Sequence, residues 1–415
     1  MKELYLKRHS CRLCESPEVN LVYKMPAVPP VDNFRPVGAP EVRLPKIPMD
    51  LYLCADCGHA QLLDVVDPNI LYGNYIYTSG SSTDLDRHFT LYAEQVCKYF
   101  SLAADARVLD VGSNDGLLLS KFHDLGFKVL GVDPSSYVAA RAVERGIETE
   151  VGFFEARMAR NLLFTRGHFD VVTANNVFSH ADALREFACC VRCLLKPEGA
   201  FVFEVSYLKD LVEHNVVDYI YHEHLCHHSI LPLQRFMASC GLKLIDIERV
   251  STKGGSIRCY AVRAESSQQP KSVVEAMISD EKKFGLYDPS TYAKLANVMD
   301  GVKVKVNAAL KTLTAKGGKV AGYGASATST VLTAMLNIDS QLSFIIDDNP
   351  LRQNLMSPGF VLPVMNSDSL VRHRPAVVFL SAWRFAKEII ARNQAYLDAG
   401  GVFLVPLPHL EIVRK

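Results

Sequence analysis

Short apolar runs alternate with amphipathic stretches over the middle of the chain. Four of these runs have the length and composition of buried strands, at 107–111, 128–132, 169–173 and 200–204. Helical patterns fit between them, for example at 117–125 and 138–145. Alternation of this kind predicts an α/β domain with a parallel sheet and right-handed crossover helices.

The same alternation returns near the C-terminus. Candidate strands lie at 319–323, 343–346, 376–380 and 401–405. A polar hinge at 264–270 and two helical patterns separate this block from the middle one. Asp288 and Pro289 predict the start of the second helix, and Gly317-Gly318 predicts its end. The sequence therefore predicts a second Rossmann-like domain.

The first 75 residues show neither pattern and are rich in proline. They contain two CxxC motifs, formed by Cys11 with Cys14 and by Cys54 with Cys57. Four thiolates in two such motifs are typical of a tetrahedral Zn²⁺ site. A proline-rich segment cannot build a packed core, so a metal would hold it together. The alternatives are a pair of redox dithiols, or a site in which His59 replaces one cysteine.

Composition and charge narrow the class of protein. The 415 residues contain 45 basic and 45 acidic side chains, so net charge attracts neither nucleic acid nor an anionic membrane. No apolar run approaches the roughly 20 residues that span a bilayer. The N-terminus lacks an apolar signal core. The other cysteines lie mostly in apolar surroundings, which suits reduced thiols and predicts a cytoplasmic protein.

The first strand of the middle block runs into a glycine-containing turn at 112–116. A ligand binds beyond the carboxyl ends of the strands in open α/β sheets, and glycine permits close approach of the backbone. The spacing differs from the GxGxxG that cradles a dinucleotide, and it suits S-adenosylmethionine (SAM). A carboxylate at the end of the second strand would accept hydrogen bonds from the ribose. The predicted cofactor residues are Asp110, Gly112, Asn114, Asp133, Pro134, Asn175 and Asn176.

Histidines are concentrated at 219–228, where the sequence reads YIYHEHLCHH. Imidazole is the side chain best suited to move protons near neutral pH. Glu223 could tune a neighbouring histidine, and Tyr221 could donate to a developing oxyanion. A metal site is the main alternative, although the HExxH spacing is absent.

Several motifs recur together in one known family. They are the two CxxC pairs, YIYTSGSS at 75–82, LDVGSNDG at 109–116, DPSS at 133–136, ANN at 174–176 with His180, YHEH at 221–224, GGSIR at 254–258, GYGASA at 322–327, DDNP at 347–350 and PG at 358–359. In these motifs the chain resembles the SAM-dependent C-methyltransferases that act on nucleotide-linked 4-keto-deoxysugars, whose best-characterised type methylates carbon 3 of a dTDP-linked sugar.

The resemblance implies the following mechanism. His224 would remove the proton beside the ketone, and Glu223 would hold and tune it. Tyr221 and a tyrosine of the 75–77 run would bind the enolate oxygen; we favour Tyr75, and Tyr77 stays open. His180 would border the cleft. The zinc would be structural, because transfer of a sulfonium methyl group needs no metal.

The resemblance also implies three domains and a substrate. These are a zinc-binding domain at 1–75, a methyltransferase domain at 76–265, and a helical connection with a C-terminal Rossmann-like domain for the nucleotide sugar at 266–415. The C-terminal domain could instead serve only structural closure. Thr328 stands where the family often has a lysine, and Arg258 and Arg352 are possible substitutes for that cation.

Two more positions and three questions stay open. His227-His228 stands where the family usually has aromatics, which predicts a reshaped sugar pocket. Trp383 could stack on a base or sugar, or belong to the core.

The competing functions are a metal-dependent hydrolase or isomerase and a non-catalytic binding module. The sequence leaves open the nucleotide, the methylated carbon and the oligomeric state, with a monomer as one possibility.

Overall fold

A computed structural model describes residues 4–31, 34–39, 45–73, 78–81 and 83–415. Tyr75 and Tyr77 therefore lie outside the described residues. Within the described part of the chain, no helix combines the length and the apolar character that crossing a bilayer requires.

The N-terminal part consists of short strands and one short helix. Their bounds are β1 Tyr5–Lys7, β2 Val19–Tyr23, β3 Arg35–Pro36, β4 Leu51–Cys54, β5 Ala60–Leu62, β6 Asp64–Val66 and α1 Pro68–Tyr72.

The middle part alternates helices and strands. Their bounds are α2 Thr83–Phe100, β7 Arg107–Val111, α3 Leu117–Asp124, β8 Lys128–Asp133, α4 Ser136–Glu144, β9 Thr149–Val151, α5 Ala156–Arg166, β10 Phe169–Thr173, α6 Leu184–Leu194, β11 Leu195–Ser206, α7 Leu208–Glu213, β12 Cys226–His227, α8 Ile230–Ser239, β13 Leu242–Val250 and β14 Ser256–Arg263.

The C-terminal part opens with two helices and then alternates again. Its elements are α9 Ser272–Phe284, α10 Pro289–Leu313, β15 Val320–Tyr323, α11 Ala327–Leu336, β16 Leu342–Ile346, β17 Leu355–Met356, β18 Val364–Met365, α12 Ser369–His373, β19 Val377–Leu380, α13 Ala386–Arg392, α14 Gln394–Asp398, β20 Phe403–Val405 and β21 Glu411–Val413. Single 3-10 turns lie at Ser79–Ser81, Val217–Tyr219, Thr252–Gly254, Asp339–Gln341 and Trp383–Phe385.

The middle sheet has seven strands in the order β9-β8-β7-β10-β11-β14-β13. The first five are parallel, as the alternating pattern predicts. The parallel arrangement does not extend to the last two strands, which were not among the four predicted ones, because β14 pairs antiparallel with both β11 and β13. The connection between β13 and β14 is only 251–255, and a parallel pair would need a much longer crossover.

The strand order reverses beside β7, since β8 and β9 lie on one side of it and β10 on the other. Open α/β sheets bind ligands at such a switch point, beyond the carboxyl ends of the strands. The C-terminal sheet, ordered β18-β16-β15-β19-β20-β21, reverses in the same way beside β15. Mixed α/β architecture with two Rossmann-like sheets is therefore confirmed.

Helix α10 begins as predicted. Asp288 is its N-cap and accepts a hydrogen bond from Ser290 N at 2.8 Å, and Pro289 occupies the first turn. The helix ends at Leu313, so Gly317-Gly318 lies beyond its end rather than terminating it.

The N-terminal part is joined to the histidine-rich segment by backbone pairing. Strand β12 extends the sheet of β5, β4 and β2, with Cys226 opposite Gln61 and His227 opposite Ala60. Leu62 N also donates to Leu225 O at 2.9 Å. The segment that carries His224 is therefore held between the N-terminal sheet and the middle sheet.

Candidate active site and metal centre

The four cysteines of the CxxC motifs come together at one end of the N-terminal sheet. Their Sγ atoms all lie within 4.8 Å of one another. Two short contacts connect the motifs, at 3.6 Å between Cys11 and Cys57 and 3.5 Å between Cys14 and Cys54. Zinc–sulfur bonds of about 2.3 Å in a tetrahedron place sulfurs about 3.8 Å apart. The residues therefore fit a zinc ion.

The alternatives for this centre are weaker. The short sulfur contacts run between the motifs, whereas a redox CxxC pairs its own two thiols. His59 is not part of the sulfur cluster; its ring packs 5.6 Å from that of His228.

A cavity of about 410 Å³ opens at the carboxyl ends of β7, β8 and β10. Small-molecule sites typically measure about 300–1,000 Å³. The predicted cofactor residues line it beside the ends of these strands, the part that we call the cofactor half; they are Asp110, Gly112, Asn114, Asp133, Pro134, Asn175 and Asn176. His180, Tyr221, Glu223 and His224 also line it, and we call their part the substrate half. All predicted cofactor residues and all described candidates for catalysis therefore share one cavity.

The glycine turn is built as a close backbone approach. Gly112 has φ +70° and donates its N–H to Val132 O at 2.7 Å. A Cβ at this position would lie 2.3 Å from Cγ2 of Val177, so any other residue would push the turn away from the segment after β10. Asn114 Oδ1 accepts a hydrogen bond from Ser79 N at 2.9 Å, which draws the segment before α2 over the turn.

Asp133 is held as an acceptor at the rim of this half of the cavity. Its Oδ2 accepts from Asn114 N and its Oδ1 from Ser135 N, both at 2.9 Å. Each carboxylate oxygen has a second lone pair, so Asp133 can still accept from two hydroxyls of a ribose. Burial raises the pKa of Asp133. The donors and acceptors of this half thus fit the adenosyl part of SAM.

Asp110 is less accessible than Asp133. Thr173 Oγ1 donates to Asp110 Oδ1 at 2.6 Å, and burial raises the pKa of Asp110 to about 7. The segment after β10 is fixed by two backbone contacts to β11. Asn175 Oδ1 accepts from Glu204 N at 2.9 Å, and Asn176 N donates to Glu204 O at 2.8 Å.

The imidazole of His224 has a defined orientation. Its Nδ1 lies 2.7 Å from the carbonyl oxygen of Tyr219. A carbonyl can only accept, so Nδ1 carries the proton and Nε2 keeps the free lone pair of a base. Burial lowers the pKa of His224 well below its usual value, and the nearby His180 and Lys253 lower it further. The ring is therefore neutral at physiological pH.

Aromatic rings surround this imidazole. The ring centroids of Tyr221 and His180 lie 4.2 and 5.1 Å from that of His224. Tyr72 stacks on His180 with centroids 6.0 Å apart. Burial lowers the pKa of His180 to about 3, so it too is neutral.

Glu223 lines the cavity and is only 4% exposed. Burial raises the pKa of Tyr72 and the charge of Glu223 raises it further; the same charge opposes the lowering of the Lys253 pKa. The Tyr219 carbonyl orients the His224 ring through Nδ1. The expected holding and tuning roles of Glu223 stay predictions.

The 3-10 turn that presents the Tyr219 carbonyl is clamped from the C-terminal part. Asp218 is fully buried and accepts from Trp383 Nε1 at 3.1 Å and from Arg384 Nη1 at 2.9 and 3.0 Å. The Arg384 guanidinium also lies 4.7 Å from the centroid of the Tyr219 ring. Trp383 is 9% exposed and hydrogen-bonded, so of its two expected roles the structure supports the core one.

Two other expectations are corrected by the structure. Arg258 is 2% exposed and donates to Glu204 at 2.7 Å, so it cannot replace a cation for a diphosphate. Arg352 pairs with Asp347 at 3.4 Å and lies over the Phe34 ring, and its role as a substitute cation stays a prediction.

The second correction concerns His227 and His228. Neither residue lines the described part of the cavity. His228 is fully buried and stacks on Phe178, with centroids 5.5 Å apart. The expected reshaping of the sugar pocket therefore has no support in the described residues.

Sequence reasoning missed three parts of this site. Tyr72 and Lys253 line the cavity, and the Tyr219 carbonyl orients the base. Lys253 directly precedes the Gly254-Gly255 pair that belongs to a motif quoted above, which is the one signal that could have revealed it. A backbone carbonyl leaves no such signal.

The turn after β15 repeats the geometry of the turn after β7. Asp347 Oδ2 accepts from Ala325 N at 2.7 Å, and its Oδ1 accepts from Asn349 N at 2.8 Å. Ser326 is the N-cap of α11, whose first residues include Thr328. The C-terminal sheet thus presents a carboxylate and a helix N-terminus at its own switch point.

Comparisons with known proteins agree along the chain. A family model described as "Putative zinc binding domain" matches residues 11–72, one described as "Methyltransferase domain" matches 85–247, and one described as "C-methyltransferase C-terminal domain" matches 251–408. C-methyltransferase NovU from Streptomyces niveus is 30% identical over 367 residues, covering 88% of this chain and 87% of NovU.

More partial likenesses fall on the middle part. A ubiquinone biosynthesis O-methyltransferase of Rhodopseudomonas palustris is 30% identical over 109 residues, which cover 26% of this chain and 43% of that protein. Among solved structures, the PH0226 protein from Pyrococcus horikoshii is 21% identical with a TM-score of 0.38, covering 45% of this chain and 94% of the other. Magnesium protoporphyrin IX methyltransferase from Synechocystis is 15% identical with a TM-score of 0.34, covering 43% and 82%.

Proposed function

This chain is a SAM-dependent methyltransferase of the C-methyltransferase family that includes NovU of Streptomyces niveus, and we propose that it methylates a nucleotide-linked 4-keto-6-deoxysugar at the carbon beside the ketone. The observation that carries the proposal is the neutral His224, whose Nε2 is directed away from its bond to Tyr219 O. A C-methyltransferase needs such a base to create a carbon nucleophile.

The residues divide the work of the reaction. His224 Nε2 takes the proton from the carbon beside the ketone. Tyr221, whose ring lies 4.2 Å from that of His224, donates to the ketone oxygen as it gains negative charge. His180 and Tyr72 close the apolar wall beside the base and exclude water. Tyr75, which we expect to be a second donor, lies outside the described residues.

The glycine turn and Asp133 would hold the adenosyl end of SAM in the other half of the cavity. When bound, SAM supplies an electrophilic methyl group on a positively charged sulfur. A single cavity with both sets of residues meets the requirement that nucleophile and methyl carbon be held in near contact. Zinc takes no part, since the cysteine cluster does not line the described part of this cavity.

The repeated turn geometry after β15 supports binding of the nucleotide part by the C-terminal sheet. Asp347 mirrors Asp133, and the N-terminus of α11 offers free N–H groups to an anion. Thr328 adds no charge there.

The metal-dependent hydrolase or isomerase has little support. Within the described residues, the cysteine cluster is the only group of three or more ligand side chains close enough for a metal. The histidines of the cavity also have lowered pKa values from burial, without a shared ligand geometry.

The test uses the full chain, methyl-deuterated SAM and a panel of dTDP- and GDP-linked 4-keto-6-deoxyhexoses. Mass spectrometry should show transfer of the labelled methyl group to one panel member. His224→Asn keeps an N–H donor for the Tyr219 carbonyl but lacks Nε2. We expect it to bind SAM normally and to lose about 10²–10⁴-fold in kcat. His123→Asn, which changes an exposed histidine, is the matched control.

Two results would contradict the proposal. One is near-normal turnover by His224→Asn. The other is the absence of labelled product across the whole panel while calorimetry shows that SAM binds.

A further inference from the structure

A strained lysine faces the cavity from the connection between β13 and β14. Lys253 has φ 57° and ψ 27°, which lies in the left-handed backbone region that residues other than glycine rarely adopt. Gly254 and Gly255 follow, also with positive φ. Strain of this kind persists only where the surrounding structure enforces it, and it is concentrated at functional sites.

The surrounding contacts fix this conformation. Gly255 N and Ser256 Oγ both donate to Thr252 O at 3.0 Å, and Tyr207 N donates to Gly255 O at 3.1 Å. A Cβ at Gly255 would lie 2.4 Å from Asp210 Oδ2, so the connection is pressed against α7. These contacts hold the loop against α7 and the residue that follows β11.

The side chain of Lys253 lines the cavity without an ion-pair partner. No carboxylate in the described part of the chain lies within ion-pair distance of Nζ, although Glu223 and Glu204 are near enough to stabilise its charge. The residue as a whole is exposed, and its side chain lines the cavity, so the ammonium is accessible to a ligand there. An unpaired cation on an enforced backbone indicates a site for a negatively charged ligand group.

The neighbours of Lys253 place that site in the substrate half. A Cβ at Gly254, the next residue, would lie 3.6 Å from Cδ of Arg384, whose guanidinium lies 4.7 Å from the ring of Tyr219, the residue that orients His224. Burial lowers the pKa values of His180 and His224, and the charge of Lys253 lowers both further. These two histidines and Glu223 line the substrate half of the cavity together with Lys253. The anion is therefore part of the acceptor rather than the carboxylate of SAM.

We propose that Lys253 is a further catalytic residue, whose ammonium binds the ketone oxygen of the acceptor and stabilises the enolate. This assignment rests on the proposed function. In the step, the C–H bond breaks and its proton goes to His224 Nε2. Its electron pair forms the C=C bond, and the carbonyl π pair moves to the oxygen beside Lys253. The enolate carbon then attacks the methyl group, and the S–C electron pair stays on sulfur.

The same cation keeps the base ready. Burial is the main reason that the His224 pKa is lowered and the imidazole neutral when the acceptor binds, and the field of Lys253 adds to this effect. After proton transfer, the imidazolium and the ammonium both face the enolate, and its negative charge offsets their repulsion. The ammonium of Lys253 therefore stabilises the enolate-like transition state, whose negative charge it contacts, more than it stabilises the empty site.

The experiment measures the first step alone. Exchange of the acceptor α-proton is followed by NMR in D₂O, with the panel member that the wild type methylates. Lys253→Met should slow both exchange and kcat by about 10²-fold, as loss of an oxyanion donor does. SAM affinity and zinc content should not change. Lys305→Met, on the exposed side of α10, is the matched control.

A pH profile separates a catalytic from a structural role. Burial lowers the pKa of Lys253 to about 8, and the charges of Glu223 and Glu204 oppose this shift. Two further charged residues, Asp210 and Arg384, pack against the adjoining Gly255 and Gly254. Since the protonated lysine is the active form, wild-type kcat/KM should fall as pH rises through about 8. Lys253→Arg should restore activity and move this fall to higher pH.

The outcomes are distinguishable. If the wild type exchanges and Lys253→Met exchanges equally fast, the lysine assignment is wrong and the proposed function stands. An alkaline limb that is unchanged in Lys253→Arg would also overturn it, and this readout decides the case if Lys253→Met does not fold. If the wild type neither exchanges nor methylates any panel member, the proposed function fails and takes this assignment with it.

Discussion

Replacing His228 by phenylalanine should make the protein more resistant to acid. His228 is fully buried and stacks on Phe178, and its ring also contacts that of His59. Neither ring nitrogen makes a hydrogen bond of normal geometry with the described residues. Burial lowers the pKa of His228 to about 4, and the backbone of Phe178 opposes this shift.

The magnitude follows from proton linkage. The pKa of a histidine is near 6.5 in the unfolded chain, and that of His228 is about 4 in the folded protein. Between pH 6.5 and pH 4 the unfolded chain therefore binds one proton at this residue that the folded protein does not bind. Stability from this group is complete above pH 6.5 and is lost as pH falls toward 4. Between pH 7 and pH 5 the loss is about 1.8 kcal/mol, at about 1.36 kcal/mol per unit of pKa difference. Phenylalanine has no such loss.

The assay is urea unfolding at pH 7 and pH 5 in zinc-buffered solution. Circular dichroism follows the whole chain, and fluorescence of Trp383 follows the contact with Asp218. The quantity compared is the change in unfolding free energy between the two pH values, so an overpacking penalty from the larger ring cancels. Zinc release in acid affects both proteins and cancels as well. His123→Phe, at an exposed site, is the control.

Equal loss of stability in wild type and His228→Phe would refute the reasoning. It would mean that the buried imidazole is already charged in the folded state, or that the unfolded chain does not gain the proton. A protective effect also seen in His123→Phe would equally remove the role of burial.

Two further predictions concern the cofactor and the metal. Asp133→Asn should weaken SAM binding about 10-fold to 10²-fold by calorimetry, because hydrogen bonds to a charged acceptor contribute about 1.5–3 kcal/mol. The control Asp124→Asn, at an exposed site, should bind SAM normally. An unchanged dissociation constant for Asp133→Asn would remove Asp133 from the ribose site. Cys11→Ser should reduce zinc from one ion per chain to nearly none in a chelator assay. The control Cys193→Ser, at an exposed cysteine, should retain the zinc ion. Full zinc content in Cys11→Ser would disprove the four-cysteine centre.

Local patterns were sufficient to predict much of the fold. The strands at 107–111 and 169–173 have the predicted bounds, and β8 and β19 differ by one residue at one end. Each is a short apolar run buried on both faces, which is the signal that a parallel strand leaves in sequence. The cap at Asp288 was predictable because capping depends on neighbouring residues only. The proposed domain limits stay predictions.

Long-range pairing was not predictable in the same way. Strand β12 adds to the N-terminal sheet through Cys226 and Gln61, which lie far apart in sequence. Arg258 was misjudged for a related reason. It lies opposite Glu204 in the register of β14 and β11, and their ion pair is buried. Periodicity shows which face of a strand is buried, but not which residue of another strand lies opposite.

The orientation of the proposed base depends on all three parts of the chain. The middle sheet supplies the glycine turn, and the N-terminal sheet holds the residues after His224 through β12. The C-terminal part holds the residues before it, because Trp383 and Arg384 bind Asp218 beside Tyr219. A misplaced imidazole loses its bond to the Tyr219 carbonyl, and with it the tautomer that leaves Nε2 free. Zinc can therefore affect the reaction without entering the cavity, since the sheet that it stabilises fixes one side of the base.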